Sequence, residues 1–300
     1  MAQQPKERMF GIERDQLRER IQQTFNNIST FQMLRYGLIA ILLLVWLIPV
    51  LVVLYLSVVP MEQLVRGEHW QLPEQVALFG NFVEVMEVSD FYISALNSFT
   101  YALVAGTTAV FFASVAGFTI SQLDIPAKNF FLYFILLFTF FPTHMYLIPL
   151  VKMYQITGLY NTRIGIIIVY IAVAIPFATF IMRNYYVTLP SSLYEAAKID
   201  GLSKFQIYWK IYLPLGKPAF LVALIFQYIW AWNEFVLGLV LTSSSSARPI
   251  SAALNRLDGL APDWPVLAVA AIITATPPML LYLIFQEQFE RGLISGAKVG

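Results

Sequence analysis

The sequence predicts an all-α membrane protein of six transmembrane helices with both termini on the cytoplasmic side. Three observations predict it. Of the 300 residues, 58% are hydrophobic and only 12% are charged, whereas soluble domains carry about a quarter charged residues. Six apolar runs are long enough to cross a hydrocarbon core of roughly 30 Å, which takes about 20 helical residues. With the N-terminus inside, fourteen of the 19 Lys and Arg residues fall on the inner side of those runs, as the positive-inside rule requires. None of the runs alternates in polarity with period two, which argues against a closed β-barrel.

The elements follow in order. Residues 1–35 form a charged leader in which Leu17, Ile21, Phe25 and Ile28 recur at helical spacing, an amphipathic helix suited to the inner leaflet. The first apolar run is longer than the core of a cleaved signal and reads as a retained anchor. The spans are expected at 36–59, 91–120, 129–151, 164–182, 218–241 and 265–286, the fifth interrupted by Glu234. Together they make a transmembrane domain over 36–286, followed by a tail over 287–300 whose Gly292, Gly296 and Gly300 suggest flexibility. The TSSSSARP stretch at 242–249 reads as a flexible polar link in the last outer loop. Cysteine is absent, which excludes disulfides and thiolate chemistry. No acidic or basic tail points to nucleic acid.

Between spans four and five the chain stays out of the membrane over 184–217, longer than connections between packed helices usually are. Ser192 and Glu195 have capping-box spacing, Ala196 and Ala197 are strong helix formers, and Gly201 supplies a left-handed residue to end the helix. A second capping box, Ser203 with Gln206, starts a helix running to Pro214. On it, Phe205, Tyr208, Trp209 and Tyr212 form an aromatic stripe suited to the headgroup boundary or to the underside of the bundle, which would anchor the loop. The first helix then presents small residues flanked by Glu195, Lys198 and Asp200. That pattern fits a docking knob for another protein, and equally a connecting loop with a solvated face.

The run Glu195, Ala196, Ala197, Asp200, Gly201, Ile211, Leu213, Pro214 resembles, at every spacing, the EAA loop of bacterial ABC importer permeases. IPLVKMYQITGLYNTRIG (148–165), IWAWNEFVLGLVL (229–241) and FERGLISGAKVG (289–300) are similar to segments of the carbohydrate branch, in its maltose-type second permease subunit. The resemblance implies a multi-pass protein of a prokaryotic plasma membrane that pairs with a second permease and sits on two ATPase subunits. An extracellular solute-binding protein delivers a carbohydrate to it. It implies docking of Glu195, Ala196, Ala197, Lys198, Asp200 and Gly201 on an ATPase. Ser192, Phe205, Trp209, Ile211, Leu213 and Pro214 would anchor the loop, and the tail would reach between the ATPase subunits. ATP and Mg belong to those partners. This chain is then no enzyme and binds no cofactor, in keeping with the lack of a G-x-x-x-x-G-K-[ST] motif. Motion of the docked loop would pass to spans four and five.

Intramembrane polar groups usually face the bundle or a pathway. The candidates for a solute path are Asn97, Gln227, Tyr228, Trp232, Asn233 and Glu234, with Ser98 and His144 also within spans. Aromatic faces beside amides and carboxylates suit sugars. Asn97 and His144 read first as groups satisfied between helices, while Gln227 and Asn233 fit either role. Pro142, Pro149 and Pro176 interrupt the helical ladder in spans three and four, which fits kinks or gate hinges and equally packing defects tolerated inside a bundle. Two rival classes are an amino-acid or other small-solute importer and a self-sufficient secondary transporter. The second would need repeated halves and buried ion-coupling charges.

Overall fold

The computed structural model describes residues 30–87, 90–257 and 263–297. Among them every regular element is helical. The expected leader helix at Leu17–Ile28 lies outside the described residues. The chain divides into two units, Met1–Tyr55 and Leu56–Gly300. The first is carried by most of α1 (Thr30–Val58), an uninterrupted apolar helix that tolerates Pro49 within it.

In the second unit, α2 (Met61–Val65) and α3 (Leu78–Glu87) follow the end of α1. Asn81 Nδ2 donates to the Ser57 carbonyl at 3.0 Å and the Ala77 N–H to that of Val58 at 2.9 Å. The centre of the fold is α4 (Phe91–Gln122), packed along α7 (Arg163–Val187), with α10 (Lys217–Asn233) against both. Close approach of α4 and α7 depends on small residues, as in other membrane helix pairs. A Cβ at Gly117 would lie 2.7 Å from the Arg183 amide nitrogen and 3.0 Å from Met182 Cβ.

Among the described residues four helices are long and apolar enough to span: Gln32–Val58, Phe91–Gln122, Arg163–Val187 and Trp264–Glu287. The expected third and fifth spans are broken. In the third, α5 (Lys128–Leu137) gives way to 3-10 turns at Phe138–Phe140 and Thr143–Met145 before α6 (Leu147–Thr157). Pro142 causes the break, because it forces the preceding Phe141 into extended backbone (ψ 116). Pro149 sits in the first turn of α6, where its missing N–H costs nothing, and Pro176 is tolerated inside continuous α7.

Before the fifth span come α8 (Ser191–Ile199) and α9 (Lys204–Leu215), the latter set at 73° to α10. Beyond α10 the chain is extended at Glu234 (ψ 111) and resumes as α11 (Val236–Leu241). Then follow α12 (Ile250–Leu257) and α13 (Trp264–Ala297), whose one non-helical residue is Phe285. The tail expected to be flexible continues α13 as helix through Gly292 and Gly296.

Candidate functional site

The loop between α7 and α10 is built from its caps inward. Pro190 takes the N-cap position of α8, so Ser191 is the first helical residue and no side chain caps the helix. The expected Ser192–Glu195 capping box therefore does not form; both residues lie inside the helix and are exposed. The far end behaves as expected. Gly201 is left-handed (φ 78), its N–H bonds to the Lys198 carbonyl at 3.1 Å, and that of Leu202 to Ala197 at 3.1 Å. This double closure is a Schellman motif, which needs a residue free of a Cβ penalty.

The two faces of α8 differ. Ala197, 3% exposed, and the half-buried Tyr194 pack into an apolar cluster with Phe118, Met182, Tyr186 and Tyr212. Ala197 is thus removed from the expected docking surface. Ser192, Glu195, Ala196 and Ile199 share the outward face at i, i+3, i+4 and i+7. Ile199 is 86% exposed, a large apolar side chain that sequence reasoning passed over. Among the described residues neither Glu195 nor Lys198 forms an ion pair.

In α9 the Ser203–Gln206 capping box is complete, with Ser203 N–H to Gln206 Oε1 at 2.9 Å and Gln206 N–H to Ser203 Oγ at 3.3 Å. The aromatic stripe splits. Tyr208 and Tyr212 are buried, whereas Phe205 is 70% and Trp209 41% exposed, and Trp209 meets Phe111 of α4 with ring centroids 5.9 Å apart. Ile211 and Leu213 do pack on the apolar cluster, half-buried, while Pro214 is exposed. Residues 208–212 form a π turn, whose wider winding keeps Tyr208 and Tyr212 on one side. Pro214 follows, with no N–H to give the Lys210 carbonyl, which favours that looser turn.

The anchoring groups are hydroxyls and an amide. Tyr208 donates to Ser114 Oγ at 3.1 Å, and Ser114 Oγ is 2.7 Å from the Tyr186 hydroxyl. Tyr212 donates to Gln122 Oε1 at 2.8 Å, and Gln122 Nε2 to the Tyr186 carbonyl at 2.7 Å. Tyr185 donates to the Leu215 carbonyl at 3.0 Å. Phe118 fills the centre, its ring centroid 5.4 Å from Tyr208 and 4.9 Å from Tyr212. Burial pushes the Tyr208 and Tyr212 hydroxyls above the ordinary tyrosine value, which keeps both protonated as donors.

The opposite end of the bundle is closed by TSSSSARP, which is not a flexible link. Asn97 Nδ2 lies 3.0, 3.2 and 3.0 Å from the carbonyl oxygens of Ser245, Ser246 and Arg248. Tyr101 donates to the Ala247 carbonyl at 2.8 Å, and Ser98 Oγ accepts the Ile250 N–H at 2.8 Å. Asn161 Oδ1 accepts the N–H groups of Ser243 and Ser244 at 2.9 and 3.0 Å.

The candidate solute-path residues therefore separate. Asn97 holds the loop. Gln227, 3% exposed, bonds the Ala174 carbonyl at 3.2 Å. Trp232 is buried, bonds the Thr274 carbonyl at 2.8 Å, and stacks on Tyr228 with centroids 6.0 Å apart. Glu234 Oε1 accepts the Leu237 N–H at 2.9 Å, capping α11, and its carbonyl accepts Ser251 Oγ at 2.6 Å. His144 is exposed on its 3-10 turn. Asn233 lines a cavity of ≈ 400 Å³ with Phe235, Ser251, Leu254, Asn255, Leu267 and Thr274. No group of three or more His, Asp or Glu among the described residues is placed to hold a metal ion.

Comparison with known proteins agrees with this architecture. Residues 109–295 match the family model described as binding-protein-dependent transport system inner membrane component. A probable ABC transporter permease of Pyrococcus horikoshii is 34% identical over 83% of this chain and 91% of its own. The trehalose transport system permease SugB of Mycobacterium tuberculosis is 31% identical over 85% of this chain and 93% of its own. The crystal structure of a bacterial ABC transporter that imports the acidic polysaccharide alginate has the same fold. Its TM-score is 0.73 at 24% identity, covering 86% of this chain and 95% of that one. The chain belongs to the family of inner-membrane components of binding-protein-dependent ABC transport systems.

Proposed function

We propose that this chain is the pore-forming permease of an ATP-driven carbohydrate importer, with α8 as the helix that docks on a separate ATPase subunit. The observation that carries this is the contrast within one short loop. Tyr194, Ala197, Tyr208 and Tyr212 are fixed in the bundle, while Glu195, Ala196 and Ile199 face outward without a partner among the described residues. An exposed carboxylate beside a large apolar side chain suits a protein cleft with a basic rim. The family adds the delivery of solute by a binding protein, and the sugar-transporting relatives favour carbohydrate as the cargo.

In this reading the broken segments 128–157 and 217–241 complete six spans, with both termini and the docking loop on the cytoplasmic side. The mainly apolar cavity in which Asn233, Ser251, Asn255 and Thr274 supply the polar groups, beside the Tyr228–Trp232 stack, is this subunit's contribution to the solute path. ATP and Mg are held by the ATPase subunits, a second permease completes the pore, and this chain performs no catalysis. Closure of the ATPase dimer favours one of two bundle arrangements over the other, and transport follows from that difference.

The test is Glu195→Lys in the complex with its partners, measuring membrane insertion and uptake of a radiolabelled sugar carried by the binding protein. Insertion is retained and uptake falls about tenfold or more, the size expected when one partner of an interfacial charge pair is reversed. Uptake equal to the parent's contradicts docking through this face.

A further inference from the structure

We infer that the docking loop is keyed to the second membrane helix, α4, as well as to α7, and that loop, α4 and α7 move as one rigid body. This rests on the reading of α8 as the ATPase-docking helix. Chain connectivity alone would pass motion of the loop to α7 and α10, the elements it joins. The hydrogen bonds instead converge on α4. Both buried tyrosines of α9 end on α4 side chains, Tyr208 on Ser114 and Tyr212 on Gln122. Those two residues also hold Tyr186 of α7, one through its hydroxyl and the other through its carbonyl.

The chemistry of the joint favours rigidity over sliding. Apolar surfaces tolerate displacement, since any neighbouring apolar group is nearly as good a partner. A buried hydroxyl–amide cluster is not tolerant: a shift of one turn would strand Ser114, Gln122 and two phenol groups in an apolar setting. Ser114 and Tyr186 are fully buried, and Gly117 brings α4 against the α7 backbone one turn away. At the other side of the joint, the α9–α10 connection bends by 73° at Gly216. A Cβ at Gly216 would lie 2.6 Å from the Tyr186 hydroxyl oxygen, so the bend itself is seated on the same tyrosine.

The absence of cysteine from this chain makes the test direct. Cysteines replacing Lys210 on α9 and Phe112 on α4, both exposed, take a pair of spin labels in the purified importer, its partner subunits free of reactive thiols. The distance between them is read without nucleotide and after trapping with Mg-ATP and orthovanadate. The two distances coincide. With Gln122→Leu and Tyr208→Phe added, the distribution broadens and the two states separate, although the ATPase subunits still co-elute. A distance in the parent that changes between the states overturns the inference, as does a variant distribution indistinguishable from the parent's. Docking is read separately: if Glu195→Lys leaves uptake equal to the parent's, the docking reading fails, while the label distances still decide whether loop and α4 form one body. Should the double variant not assemble, the parent measurement alone decides.

Discussion

The two ends of the bundle solve the same problem in opposite ways. At one end, side chains of α4 reach out to backbone carbonyls of TSSSSARP, and Asn97 alone gathers three of them. At the other, side chains of the loop reach in to Ser114 and Gln122. The first end uses its polar groups to hold itself closed. The second seats its tyrosines inside and leaves Glu195, Ala196 and Ile199 outside. A loop whose backbone is held from within is a fixed wall; a loop anchored on one face and open on the other is a handle.

That contrast can be broken from either end. The largest effect is expected at the α4–α7 contact. Gly117→Val puts a side chain against the backbone of Arg183 and should cost about 3 kcal/mol, seen as a lower midpoint for heat-induced aggregation of the solubilised protein. A midpoint equal to the parent's would mean that the two helices separate easily there. Asn97→Leu removes the donor shared by Ser245, Ser246 and Arg248 and should cost about 2 kcal/mol. Its signature is local: a cysteine placed at Ser246 becomes more reactive toward a water-soluble maleimide, while one at Lys210 does not. Equal gains at both positions would erase the difference between the ends. Ser203→Ala, which loses one capping bond at the start of α9, should cost about 1 kcal/mol and raise protease nicking of the loop without loosening TSSSSARP.

The sequence carried some of this and hid the rest for identifiable reasons. Long uninterrupted apolar runs gave α4 and α7 within a few residues, and Gly201 and Ser203 marked the end of α8 and the start of α9 because those signals are local. Glu234 was visible as an interruption, but that its carboxylate caps the next helix depends on an extended residue that no periodicity reveals. TSSSSARP looked like a linker because its partners lie about 80 to 150 residues away, at Asn161, Tyr101, Ser98 and Asn97. Ser192 had the right spacing for a capping box, yet Pro190 already held the N-cap. The aromatic stripe assumed regular α winding, and the π turn at Tyr208–Tyr212 redistributed it. Ser114, Gln122 and Tyr186 were legible only as polar residues near the ends of apolar runs; their convergence is a property of the packed helices.

The central claim is that the outward face of α8 is where another subunit binds. A cysteine at Ile199, carrying a photoactivatable group, tests it in membranes containing the assembled importer, with the same label on Phe205 as a neighbouring exposed control. Irradiation is predicted to join Ile199 to an ATPase subunit, and less so in the presence of Glu195→Lys. Adducts to lipid alone, or an ATPase adduct from Phe205 and none from Ile199, would contradict the account.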